Sequence, residues 1–515
     1  MLRPRRSLGA LWGGITLPLV VCGSLTAQAS PFIPLDDPRL PLVEHLIARG
    51  DIRDPSPLIR PFRRSDLVRV IEEAKLDSAS ASGRVAARLR RDFTDPPTEA
   101  WWAIAPRGGM QAFTLARRDL LQPGGAGGVR PYVESEFSAR FGPIVLVSRV
   151  AAENRLNLDP DWVSDSVQKD KNTAYRFIEA YVSAQFRWGL IQFGQIDRNW
   201  GPSALPGIGV SNYGYPRTDL SFEAGPRSFR FRAFGTQLRD ENDTDGNVIH
   251  RYFVTHRLDV QVRKNLTLAL WESVVAAGRE LQFEPATRNP LLLFIFGDQF
   301  GRDTRRNAMI GGDARWRPTR GLLLEGQGVI DDWRLGGTNQ AAGETPRPNR
   351  WALSVAASGP VGAAIGWRAS YTMASSLAFT TANPAENATD GGVGIGRNFP
   401  DNGLLSLALT VPVRGRWLVT PEANLLLQGE GRLDRPFPPG ASLTATPEWL
   451  IGTVRTSWRV GVGVSGQPGP VGLSAVAGFH HTTNDSHQQG KSLDRLEARL
   501  FATIGFRIHQ AIAPD

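Results

Sequence analysis

Read from its carboxyl end, the chain resolves into short stretches in which apolar and polar residues alternate one by one. A period of two admits few folds. Leu500, Ala502, Ile504, Phe506 and Ile508 share one face, and Arg499, Phe501, Thr503 and Arg507 the other. Upstream, Val454, Thr456, Trp458, Val460, Val462 and Val464 oppose Arg455, Ser457, Arg459, Gly461 and Gly463, and Ile178 to Trp188 alternate in the same way. Successive side chains of a strand point to opposite faces, whereas a helix repeats every ~3.6 residues, so these stretches are strands. One apolar and one mostly polar face suit a barrel with lipid outside and a wet lumen inside.

Eighteen such segments follow one another, from 108–117 to 496–508. Connections as short as Gly142-Pro143, Arg187-Trp188-Gly189 and Gly225-Pro226 alternate with ones of ten residues or more. An even count, short periplasmic turns and long outer loops describe a large antiparallel transmembrane β-barrel over 108–510. Residues 30–107 read differently. Leu42, Val43, Leu46 and Ile47, then Leu67, Val70, Ile71 and Ala74, then Val85, Leu89 and Phe93 have helical spacing, and Asp95-Pro96-Pro97 ends the run before Trp101-Trp102, read as an interfacial anchor. This is a small helical periplasmic domain, which either packs on the underside of the barrel or docks a periplasmic protein. Residues 1–29 have the form of a signal peptide: Arg3, Arg5 and Arg6, an apolar stretch from Leu8 to Thr26, and Ala27-Gln28-Ala29 for cleavage.

The single cysteine, Cys22, falls in that leader, so cleavage leaves no disulfide, thiolate nucleophile or cysteine metal site. Loss of three arginines takes the formal charge from +9 to +6. The remaining arginines are dispersed among apolar residues, which speaks against a nucleic-acid surface. No G-x-S-x-G or H-E-x-x-H motif occurs. His480 and His481, with Asp485, Ser486 and His487 nearby, are the strongest catalytic or metal candidates, and a hydrated strand end accounts for them more simply. The expectation is a non-enzyme with no cofactor and no metal. Trp188, Trp316 and Trp458 have outward parity and read as a periplasmic aromatic girdle, and Gly391 to Gly396 as a mobile outer-loop tip.

Four stretches carry a family resemblance: Gln195-Ile196-Asp197-Arg198-Asn199-Trp200-Gly201-Pro202, His256-Arg257-Leu258, Trp271-Glu272-Ser273, and Asn307 through Arg317. In order and spacing, together with the proline-punctuated amino-terminal helices, they resemble the Wzi capsule-assembly family. The resemblance implies an eighteen-stranded outer-membrane barrel with a helical periplasmic bundle, acting as a lectin that binds capsular polysaccharide and anchors it to the cell surface. The implied partners are that polysaccharide and the outer-membrane lipids. One departure is the tail of nine residues after Phe506, where many outer-membrane barrels end on an aromatic residue.

Sugars offer apolar ring faces to aromatic side chains and hydroxyls to Asp, Asn, Gln and Arg. Asp197, Arg198, Asn199 and Trp200, continuing to Tyr213 and Tyr215, supply this mixture in one outer loop, and Asp331, Asp332, Trp333 and Arg334 in another. For Asp197 to Pro202 a loop-folding role, with Trp200 turned inward, is preferred to sugar contact, because a motif common to a family cannot read capsules of differing structure. Arg257, Asp259, Asp313, Arg315 and Glu325 are expected to form a lumen network. Charges of both signs inside fit a plugged barrel, as does Leu291 to Phe296, too apolar to lie bare in water, yet a porin-like channel for solutes or oligosaccharides stays open as the alternative.

Overall fold

A computed structural model describes residues 29–162, 174–203, 205–279, 281, 305–332, 349–381, 383–397, 399–434 and 446–512. The leader at 1–28, Leu291 to Phe296, and Trp333 with Arg334 lie outside the described residues.

Eighteen antiparallel strands close into one barrel. They are β1 Ala100–Phe113, β2 Gly128–Phe141, β3 Ile144–Glu153, β4 Ala174–Phe186, β5 Gly189–Ile196, β6 Arg217–Ala224, β7 Phe229–Asn242, β8 Val248–Arg263, β9 Leu266–Gly278, β10 Arg305–Thr319, β11 Leu322–Asp332, β12 Arg350–Val361, β13 Ile365–Ala374, β14 Asn402–Val413, β15 Trp417–Gln428, β16 Arg455–Gly466, β17 Val471–Thr483 and β18 Ser492–Gly505. The strands are those the alternation marks out, with two shifts. First, β1 begins at Ala100, so Trp101 is a fully buried strand residue and no interfacial anchor. Second, β7 and β8 run on until only residues 243–247 join them, and 484–491 join β17 to β18, so not every outer connection reaches ten residues.

The tail after Phe506 is part of the closure. Arg107 to Phe113 of β1 pair with Gly505 to Arg499, and after a break at Phe506-Arg507 the chain resumes as Ile508–Ala511 opposite Ile104 to Trp101. The seam thereby gains four further residue pairs. Short turns sit at the other end from the long loops, and Gly142 shows why: its φ of +56° is a conformation that costs a side-chain-bearing residue dearly, and nothing lies within 4 Å of its missing Cβ.

Outward residues are apolar, as with Val133, Phe177, Leu270 and Val460, all more than half exposed where lipid would cover them. Trp188, Trp316 and Trp458 face outward too. Trp188 and Trp316 flank periplasmic turns, but Trp458 lies three residues into β16, which descends from an outer loop and pairs with His481 near the outer end of β17. Trp458 therefore belongs to the outer girdle, not the periplasmic one.

The helices are α1 Leu40–Arg49, α2 Arg64–Ala74 and α3 Ala81–Phe93. Their apolar stripes bury Leu42, Val43, Leu46, Leu67, Val85 and Leu89 in one core, which Leu418 of β15 completes from the barrel wall. Gly50 ends α1 with φ +81°, its amide on the Ile47 carbonyl, and the Arg317 guanidinium donates to the Ile47 carbonyl at 2.6 Å and to that of Ala48 at 3.2 Å. A cation on the last carbonyls satisfies acceptors that a helix end leaves open. Arg49 donates to the carbonyls of Ala363 and Ile365, and His45 Nδ1 lies 2.7 Å from Thr410 Oγ1. The domain is docked across the periplasmic mouth.

This docking is expected to weaken in acid. Burial first, and then the neighbouring Arg49, hold the His45 pKa down to about 4. An undocked, solvated histidine titrates near 6.5, so the docked state binds fewer protons between these values. The stability this linkage contributes is complete above pH ~6.5 and falls as pH drops toward 4, by up to about 3 kcal/mol. Hydrogen exchange of the α1 amides, corrected for intrinsic rates, should therefore speed up between pH 7.5 and pH 5, and His45→Gln should remove most of that difference.

Candidate functional site

The amino-terminal segment threads upward into the lumen. Ser30 exchanges two hydrogen bonds with the Gln185 amide, both 3.0 Å, the Phe32 amide donates to Tyr181 Oη at 3.1 Å, and Asp36 pairs with Arg149. From above, the outer loop after β5 descends to meet it. Ile59 and Arg60, just before α2, pair in a two-stranded ladder with Trp200 and Asn199. Periplasmic domain and outer loop thus join inside the barrel.

Around this ladder lies an apolar core where a pore would hold water. Trp200, Ile208, Val210, Phe234, Phe253, Trp271, Val275, Met309, Phe379 and Ile395 belong to one buried cluster, with the Trp200 and Phe234 rings edge to face at 5.1 Å. Gly391 to Gly396 take part: 389–390 pair with 393–394 in a tight hairpin, and Ile395 is fully buried with its carbonyl accepting from the Ser211 amide. Val393 to Gly396 are buried and clasp the core, while Gly391 and Gly392 form the hairpin turn, with Gly392 exposed. Glycine is required because Gly391 and Gly392 have φ of +59° and +82°, and a Cβ on Gly396 would lie 1.7 Å from the Ile208 carbonyl.

The stretches that carry the family resemblance converge here. Trp271 pairs in register with Gly311, where a Cβ would fall 2.1 Å from the indole, and its Nε1 donates to Asp313 at 2.9 Å. Arg257 binds Asp259 at 2.9 Å and Asp313 at 2.5 Å, with its guanidinium 5.9 Å from the Trp200 ring. Arg315 binds Glu325 at 3.1 Å and stands 3.6 Å from Asp54 of the amino-terminal segment, and Ser203 donates to Glu325 at 3.0 Å. His256 Nδ1 lies 2.9 Å from Glu272.

Arg198 forms a two-pronged pair with Asp219, both bonds 2.8 Å. The Asn199 side chain donates to the Leu205 carbonyl and accepts from the Gly207 amide, both at 2.7 Å, which closes the loop on itself. Trp200 is 4% exposed. Burial pushes the Asp197 carboxyl up to about 6. Asp331 is buried, accepting from the Phe379 amide at 2.8 Å and pairing with Arg350 at 3.2 Å, so it fastens the loop after β13. Asp332 ends β11.

Tyr213 and Tyr215 lie higher, where the loops after β1, β3 and β5 meet. Tyr213 Oη donates to Asp119 at 2.7 Å and Tyr215 Oη to Asp159 at 2.7 Å, while the Arg118 guanidinium sits 4.0 Å above the Tyr215 ring. Trp162 packs edge to face on Tyr215 at 4.5 Å. Here the outer surface opens into a cleft of about 220 Å³, lined by Asp161, Trp162, Gln195, Tyr215, Arg217 and Asp390. Burial raises the pKa of Asp161, although Arg117 lies 3.3 Å away. Aromatic edges beside carboxylate, amide and guanidinium groups are the mixture a sugar requires. Of the sugar-contact candidates Tyr215 lines this cleft, together with Arg217 two residues on, which belongs to the same expected loop. Asp161-Trp162 was legible as an acidic–aromatic pair like Asp332-Trp333, but Asp390 reaches the cleft through the inner hairpin, which local sequence does not reveal.

The candidate histidines are each paired, His480 and His481 in the wall and His487 in the loop after β17. His480 Nε2 lies 2.8 Å from Glu497, His481 Nδ1 2.6 Å from Asp494, and His487 Nδ1 2.8 Å from the Thr453 carbonyl. Among the described residues no three His, Cys, Asp or Glu side chains group as metal ligands.

No family model and no curated protein matches the sequence. Among solved structures the chain is similar to Wzi, described as an outer membrane protein involved in group 1 capsule assembly in Escherichia coli and a carbohydrate-binding β-barrel. The TM-score is 0.61 at 13% identity, covering 93% of this chain and 100% of that one. Looser likenesses include OprD from Pseudomonas aeruginosa (TM-score 0.43, 10% identity, 80% of this chain and 96% of that one) and OccAB1 from Acinetobacter baumannii (0.45, 9%, 79% and 97%). The chain is an eighteen-stranded β-barrel of the bacterial outer membrane, its periplasmic mouth covered by three helices and its lumen occupied by a packed core.

Proposed function

We propose that this protein is a sealed outer-membrane lectin of the Wzi type, which binds an extended surface polysaccharide at its outer loops and holds it on the cell. The observation that carries this reading is the apolar core around Trp200, which fills the barrel where a channel would need water, beneath an outer cleft of aromatic and hydrogen-bonding side chains. The fold shared with a carbohydrate-binding barrel supports it. The role is binding without turnover. A repeating polymer needs little affinity at each contact, because a tethered repeat rebinds at high effective concentration.

The test is a binding titration of the purified protein in detergent with surface polysaccharide extracted from the producing cells. Trp162→Ala removes an aromatic wall of the cleft and is expected to weaken binding about five- to thirtyfold, the loss typical of a truncated anchor residue. Unchanged affinity in Trp162→Ala and in Arg217→Ala would remove the cleft from the account, and absence of polymer binding by the intact protein would overturn the lectin reading.

A further inference from the structure

Between α2 and the barrel turns at 187–188 and 225–228 lies a second cleft, on the periplasmic rim, with a volume of about 660 Å³. Its wall carries Arg63, Arg69, Arg187, Arg227 and Arg230 against Asp66, Glu72 and Asp95. Asp66 is shared among three guanidiniums: Arg227 at 2.7 Å, Arg63 at 2.9 Å and Arg69 at 3.6 Å. Arg69 is held more closely by Glu73, at 2.6 Å, so Arg63 and Arg227 are left to share the one Asp66 carboxylate. Arg187 has no carboxylate within ion-pair distance among the described residues and lies 5.0 Å over the Trp188 ring. Arg230 spends its hydrogen bonds on the Gly225 carbonyl and stands 3.6 Å from Glu223. Among the described residues Arg187 is thus left without a carboxylate, and Arg63 and Arg227 share one.

We propose that this cleft binds the phosphodiester headgroup of an anionic phospholipid from the periplasmic leaflet. Guanidinium forks match phosphate oxygens in geometry as well as charge. The lipid source follows from position: Trp188 borders the cleft and is also a girdle residue, 55% exposed on the lipid-facing side, so the opening lies at headgroup level. Val68 and Pro226 add an apolar margin beside the arginines. A headgroup held there touches α2 and the barrel turns together, fastening the helical domain to the rim.

The experiment is native mass spectrometry of the full chain released from non-ionic detergent, with dioleoyl phosphatidylglycerol and dioleoyl phosphatidylcholine at equal concentration. The expected result is a preference for the glycerol lipid of at least about fivefold, the selectivity worth roughly one basic side chain at a membrane surface. Arg187→Gln touches no carboxylate and leaves the fold intact, and it should reduce the preference. Arg187→Gln with Arg227→Gln should abolish it, whereas Arg495→Gln, on a strand that descends from an outer loop, should not. Heat-modifiable gel mobility checks that each variant is folded. Equal retention of the two lipids by the intact protein, or undiminished preference in the double variant, would overturn the proposal. Displacement of the lipid by millimolar inorganic phosphate would assign the site to free phosphate and overturn it equally.

Discussion

Trp200→Ala is expected to cost the fold about 3–5 kcal/mol and to give a silent barrel a measurable ion conductance. The energetic part is that of emptying a well-packed site: Trp200 is 4% exposed, meets Phe234 edge to face, and pairs through its backbone with Ile59 of the periplasmic segment. The functional part follows from where the cavity would open. Trp200 sits at the junction of outer loop and amino-terminal segment, so its loss removes packing from both halves of the plug at once. Urea-induced unfolding in detergent measures the first effect and planar-bilayer recording the second. Wild-type protein should show no conductance steps, and Trp200→Phe should fall between the two.

Arg257→Met is expected to destabilise the barrel by a similar amount, about 3–5 kcal/mol, for a different reason. The guanidinium is fully buried and binds the carboxylates of Asp259 and Asp313; Asp259 keeps a second cation in Arg232, so an apolar replacement strands the Asp313 carboxylate. Breaking a buried pair costs far more than the intact pair contributes, because the surviving charge has lost its water as well as its partner. The double variant Arg257→Met, Asp313→Asn, which removes the stranded charge and keeps an acceptor for the Trp271 indole, should therefore recover much of the loss. Unfolding midpoints of the single and double variants check this, and equal midpoints would show that the surviving Asp313 charge carries no penalty.

The barrel was legible because lipid and lumen impose opposite chemistries on alternate residues, as along Val460, Val462 and Val464 against Arg459 and Gly461. Where the inner face is packed and not wet, that signal fades. In β1 Trp101 turns inward, fully buried and near the Arg507 guanidinium, so apolar residues appear on both parities and the strand was placed eight residues too late. Trp458 had the correct face and the wrong end, because the end depends on the direction of the strand and not on local chemistry. The lumen network was visible as charge of both signs, but its partners from the amino-terminal segment, Asp36 and Asp54, were not. Pairs such as Arg149 with Asp36 and Arg315 with Asp54 exist only because that segment enters the barrel, a tertiary fact that no local pattern encodes.

The loops show the same division. Residues in the stretches that carry the family resemblance, from Asn199 and Trp200 to Gly311 and Asp313, are spent on packing the lumen. A seal can be common to proteins that hold different polymers, whereas the surface that reads a polymer must vary with it. Apart from Gln195, the outer cleft at Trp162, Tyr215 and Arg217 draws on residues outside those stretches and on a hairpin that delivers Asp390. In this account the specificity of the protein resides above the seal.

The most direct test is made on cells. In a strain lacking this gene, cell-bound and medium-released surface polysaccharide are compared at equal total synthesis. The account predicts a shift from bound to released polymer that is reversed by the intact gene and only in part by one carrying Trp162→Ala and Arg217→Ala. An unchanged ratio of bound to released polymer would contradict it.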